Sequence, residues 1–91
     1  MADDVEMKWE LVQCGTDKID LWTGRLVRPF LSVHFVKVGM RLDGGYSLWF
    51  CPKGIGIDLP YSIHRYGTDR GKPMAQVERW ARTHWRSIPR A

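Results

Sequence analysis

Ninety-one residues suffice for one hydrophobic core and not for two, because a chain of this size buries only about 60–65% of the surface it exposes when unfolded. With 44% hydrophobic and 12% aromatic residues, five of them tryptophan, the composition rules against a disordered chain and supplies a dense core that can form without metal or disulfide staples. The net charge of +4 is uneven: residues 1–20 carry six acids against two lysines, and residues 21–91 carry twelve basic residues against four acids, so the positive field belongs to the body of the fold.

Residues 1–6 read as a disordered acidic tail, with no apolar period to hold them to a core. The opening Met1-Ala2-Asp3-Asp4 is acidic where a secretory leader is basic, and no apolar run approaches the roughly 18 residues of a membrane span. The expected location is therefore the cytoplasm of a bacterial or host cell, without membrane partners. A single domain is expected over residues 7–91. Met7, Trp9 and Leu11 alternate with Lys8 and Glu10 as in a half-buried strand reaching about Cys14, and Gly15-Thr16-Asp17 supplies a turn. Ile19 to Trp22 reads as a short second strand ended by Thr23-Gly24, and Pro29 keeps the next stretch out of a central ladder. The strongest strand signal is Leu31 to Val38, with Leu31, Val33 and Phe35 on one face and His34, Val36 and Val38 on the other. Asp43-Gly44-Gly45 has hairpin chemistry between Met40-Arg41-Leu42 and the strand Tyr46 to Cys51. Pro52, Gly54, Gly56 and Pro60 break the chain around Ile55 and Ile57, and Tyr61 to Tyr66 adds an edge strand. Pro73 fits a first helical turn, and Met74, Val77, Ala81, Trp85 and Ile88 recur at spacings of four, three, four and three, an apolar arc of about 80° that Pro89 ends. The class is α+β: an antiparallel sheet of four to five strands with one C-terminal helix, residues 73–88, packed on one face.

Arg79, Arg82 and Arg86 fall within about 60° of one another on the back of that helix, and Arg90 extends the row. Guanidinium groups so placed suit phosphates or an acidic protein surface; a solvated face is the plainer reading, with Glu78 pairing Arg82 at i,i+4. Just before the helix, Arg65, Tyr66, Arg70 and Lys72 mix cations and an aromatic in a glycine-bearing loop. A phosphate loop fails there, because Gly67 and Gly71 are four apart where five are needed and Pro73 replaces the magnesium-binding hydroxyl. Gly54-Ile55-Gly56 has Leu59 where a dinucleotide fingerprint needs a third glycine. Cys14 and Cys51 read as reduced core residues, and His34, His64 and His84 are scattered without ligand spacing, so neither metal nor cofactor is expected. No nucleophile, histidine and carboxylate share a recognisable signature, which points to a protein that is not an enzyme. Trp22 and Trp80 are candidate binding anchors, since Trp, Tyr and Arg dominate interface hot spots.

A tryptophan-bearing β-meander over Met7 to Cys51, closed by a helix of the form Ala75-x-x-Glu78-x-Trp80-Ala81, resembles many small accessory proteins of bacteriophages and mobile elements. Some of those are anti-CRISPR or other host-takeover inhibitors. The resemblance implies a non-enzymatic protein that occupies a surface of a larger host complex, with arginines and aromatics as contact residues. The residues themselves leave two functions open: a module binding an acidic protein surface or host protein complex, and a nucleic-acid-binding domain that uses the basic helix and the loop before it.

Overall fold

The computed structural model describes residues 4–55 and 62–91. Five strands run in chain order, β1 (Glu6–Cys14), β2 (Asp17–Arg28), β3 (Val36–Met40), β4 (Tyr46–Phe50) and β5 (Ser62–Tyr66), followed by the helix α1 (Gly71–His84) and a 3-10 turn (Trp85–Ser87). The sheet order is β1-β2-β3-β4-β5 and every neighbouring pair is antiparallel. Each strand therefore pairs with its sequence neighbour, the arrangement that closes the shortest loops. Among the described residues, no helix is long and apolar enough to cross a membrane.

Register assigns the two faces. Gly24 pairs with Val36, Trp22 with Val38 and Val38 with Leu48, and the helix lies on the face these residues share. Leu26, Phe35, Val36, Val38, Tyr46 and Leu48 of the sheet side meet Val77, Ala81 and Ile88 in one buried cluster, with Met74, Trp80 and Trp85 packed against its margin. The apolar stripe read from the helical period thus faces the core, widened by Trp80, whose ring stands edge-on to Phe50 at 4.6 Å. The helix itself begins two residues before Pro73, at Gly71, whose N–H donates to Asp69 Oδ1 at 2.9 Å.

Four expectations are corrected. The second strand does not stop at Thr23-Gly24 but continues to Arg28. Gly24 is buried in mid-strand because a side chain there has no room: a Cβ would lie 2.8 Å from Trp9 Cζ3 and from Val36 Cγ2. The strand expected over Leu31 to Val38 begins only at Val36, and Leu31 is 50% exposed. Ser32 ties its segment elsewhere, accepting from the Leu26 N–H on Oγ (2.9 Å) and bridging to Arg90, while Val33 N–H donates to Pro89 O and Ala91 N–H to Leu31 O. The alternation consequently breaks, and Phe35 and Val36, adjacent in sequence, are both fully buried. Cys14 is exposed at the end of β1, while Cys51 is buried; both are free thiols. At the N-terminus, Glu6 already belongs to β1, Val5 packs against the core and Asp4 pairs with Arg28 at 2.9 Å; residues 1–3 of the expected tail lie outside the described residues. Tyr61, Ile57 and Pro60 lie outside them too.

Candidate functional site

A five-stranded sheet has two faces, and one helix covers one of them. On the opposite face the register aligns Thr23, Lys37, Trp49 and Ile63 in one row across β2 to β5, and Leu21, Gly39, Ser47 and Arg65 in the next. Among the described residues no helix or strand lies over these rows. A groove of about 450 Å3 runs along them, walled by Ile19, Leu21, Met40, Leu42 and Trp49. Gly39 shapes its floor, because a Cβ there would stand 2.9 Å from Leu21 Cδ1 and would push that side chain off β3. Met40 is 53% and Ile63 56% exposed, and Leu42 and Ile19 are exposed as well. Isolated exposed leucines are ordinary in proteins, but a contiguous apolar set of this kind is not.

Cations border this face. Lys37 Nζ lies 4.2 Å over the Trp49 ring. Arg41 braces the β3–β4 turn by donating to Asp43 Oδ1 at 3.2 Å and to the carbonyls of Tyr46 and Tyr66. The Asp43 carboxyl is held below its usual range first by the Gly45 N–H and then by Arg41. Towards the other end of the face, Glu10 takes the His34 Nε2 contact at 2.7 Å and Arg25 Nε at 3.5 Å. That hydrogen bond from His34 is the main cause of the lowered Glu10 carboxyl, with Arg25 second. Glu10 and Asp43 are thus engaged by cations, as is Asp20 on the groove wall through Arg70, while Lys37 and Arg65 make no salt bridge among the described residues, which leaves the rim positive.

The nine residues singled out in the sequence do not form one site. Trp22 and Arg70 do meet: the guanidinium lies 4.7 Å from the indole centroid, and both donate to Asp20, at 3.1 and 3.3 Å. The Tyr46 hydroxyl donates to the same carboxylate at 2.6 Å. This cluster locks the loop before α1 onto the sheet and uses its donors internally. Tyr66 and Trp80 share a different groove between the sheet and α1. Arg65 sits on the uncovered face, and Lys72 is exposed in the first helical turn. The arginine row divides: Arg79 donates to Gln76 at 2.7 Å and Arg82 is exposed, whereas Arg86 and Arg90 lie over the rings of Trp85 and Phe30 at 4.4 and 4.6 Å. Glu78 accepts the Trp9 indole N–H at 3.0 Å and borders one depression with Arg82. Among the described residues, no group of three or more His, Cys, Asp or Glu gathers in a way that could hold a metal ion.

Asp20 carries a pH dependence. Its carboxyl is held below the usual aspartate value, first by the Tyr46 hydroxyl, then by the Trp22 indole and by Arg70. A lowered folded value means that its stabilisation is present above about pH 4, where an unfolded aspartate is ionised, and is lost as the pH falls through the folded value. Asp20→Asn should lower Tm at pH 7 by several degrees and flatten the acid limb of the Tm profile. An acid limb identical to that of the unsubstituted protein would show that the carboxylate does not hold the loop.

No protein-family model matches the chain, and no curated protein or solved structure matches it either.

Proposed function

We propose that the protein is a non-enzymatic protein-binding module that docks through the uncovered face of its sheet onto a partner presenting an apolar patch edged with carboxylates. The observation that carries this reading is the exposure of Ile19, Met40 and Leu42 around one groove, with exposed Ile63 on the same face of the sheet. Burying such a groove supplies the apolar gain, and Lys37 and Arg65 select a partner of negative charge. An inhibitor that acts by occupying a surface of a larger host complex is one form such a module takes, and it needs no catalytic group. A second reading rests on Arg79 and Arg82, which are exposed side by side on α1: a basic helix face meeting phosphates.

Two paired variants separate them. Ile19→Glu/Leu42→Glu places carboxylates at exposed positions beside the groove, so each change should leave stability within about 0.5 kcal/mol. It should weaken partner capture by about tenfold or more, while Arg79→Glu/Arg82→Glu leaves capture within about twofold. Capture that survives the first pair but is lost with the second, and that falls log-linearly with rising salt, would replace protein docking by nucleic-acid binding.

A further inference from the structure

The second groove has features that the docking reading does not use. α1 packs over β3 and β4, and β5 extends beyond it, with Ser62 to Arg65 all exposed. Between β5 and the helix lies a depression of about 250 Å3. Its floor is Leu48 and Val77, only 4% and 2% exposed, and its walls include Phe50, Tyr66 and Trp80. β5 is also the edge of the sheet: among the described residues it pairs only with β4. A strand edge presents a row of backbone donors and acceptors ready to pair with another chain.

We propose that β5 accepts an extended peptide segment of a partner as a sixth strand, and that this segment alternates acidic with aromatic side chains. The alternation follows from the two sides of β5. Arg65 lies on the uncovered face, whereas His64 and Tyr66 lie on the helix side and border the depression. An added strand would lie about 4.8 Å farther out, with successive side chains to opposite sides. Those beside Arg65 meet a guanidinium that makes no salt bridge among the described residues; those beside His64 and Tyr66 lean over an apolar floor walled by rings. No carboxylate lines the depression, and the exposed Lys72 and Arg79 lie on the neighbouring helix. A second copy of this chain is the poorer occupant, because its own β5 brings a second Arg65 and no carboxylate to the joined edge. Main-chain bonds would give the affinity and alternate pockets the specificity, as in other strand-addition complexes. The depression is separate from the groove on the uncovered face; Arg65 serves both readings, so the two are told apart by changes at Ile19 and Leu42, which leave β5 untouched.

The probe is an acetylated, amidated heptapeptide, Thr-Glu-Phe-Glu-Phe-Glu-Thr, titrated into the full-length 15N-labelled protein. The expected result is saturable movement of the Ser62 to Tyr66 amides and of the Trp80 indole, with the Lys37 amide and Trp49 indole still. Methylating alternate peptide nitrogens of the probe should abolish binding, because it removes one edge of donors. Arg65→Glu, at an exposed position, should weaken binding about tenfold, and a probe with Lys in place of each Glu should bind that variant better than it binds the unsubstituted protein. Ile19→Glu/Leu42→Glu should leave the titration unchanged, which keeps failure here distinct from failure of the docking face. No movement up to about 1 mM peptide, movement confined to Lys37 and Trp49, or equal binding of the methylated probe would each overturn the proposal.

Discussion

Phe35→Ala should cost about 3–5 kcal/mol in equilibrium urea unfolding. Phe35 is fully buried, its ring 6.3 Å from Phe50 and 6.1 Å from Trp80, and its backbone ties two segments together, donating to Gly24 O and accepting from the Cys51 N–H at 2.7 Å. The backbone bonds survive truncation, so the loss reports the ring and the cavity it leaves. Against an ordinary total of about 5–15 kcal/mol, a loss of this size leaves a marginal fold. Trp85 is the useful contrast: it is half-buried, its edge against Phe30 at 6.0 Å, and its truncation should cost less. A loss below about 1 kcal/mol for Phe35→Ala would mean that sheet and helix do not meet through this residue.

Gly24→Val should cost about 2–3 kcal/mol, at the upper end of what overpacking a core brings. The first added atom already falls 2.8 Å from Trp9 Cζ3 and Val36 Cγ2 and 3.0 Å from Met7 Cε. Met7 can yield, but Trp9 is held by its bond to Glu78, and Val36 is fully buried on a stiff β-branched stem. The clash should show as coupling: Gly24→Ala combined with Val36→Ala should cost at least about 0.5 kcal/mol less than the sum of the two single changes. Strict additivity in denaturant melts would place the crowding elsewhere.

Gly24 also shows where a sequence stops being legible. Thr23-Gly24 looks like a strand end, because glycine usually punctuates, yet what requires glycine here is the Trp9 ring on β1, fifteen positions away in the chain. The Leu31 to Val38 signal went astray for a related reason: its β-forming residues are real, but Ser32 is captured by Leu26 and by the C-terminal residues 89–91, and intrinsic preference is silent about such partners. Local chemistry was easier to read. The Asp43-Gly44-Gly45 turn forms as its residues demand, with Gly44 at φ +87° and Asp43 accepting the Gly45 N–H, and the helical period correctly places Val77, Ala81 and Ile88 inward.

The sites were less legible than the fold. Asp20 and Arg70 are fifty positions apart, so nothing in the chain announced that Arg70 and Trp22, read as contact residues, are joined through one carboxylate. Alternation along Leu21, Trp49 and Ile63 shows a sheet with two apolar faces, but does not say which of them the helix takes. That depends on which rows are wide enough to receive Val77, Ala81 and Trp80, a property of the assembled sheet.

The most direct measurement of the docking face is hydroxyl-radical footprinting of the protein alone and in complex with a captured partner, read residue by residue. Docking through the uncovered face predicts protection of Met40, Leu42 and Trp49, with Met74 and Trp85 on the helix side labelled as in the free protein. Protection confined to Met74 and Trp85, with Met40, Leu42 and Trp49 labelled as before, would contradict it and place the contact on the helix side of the sheet.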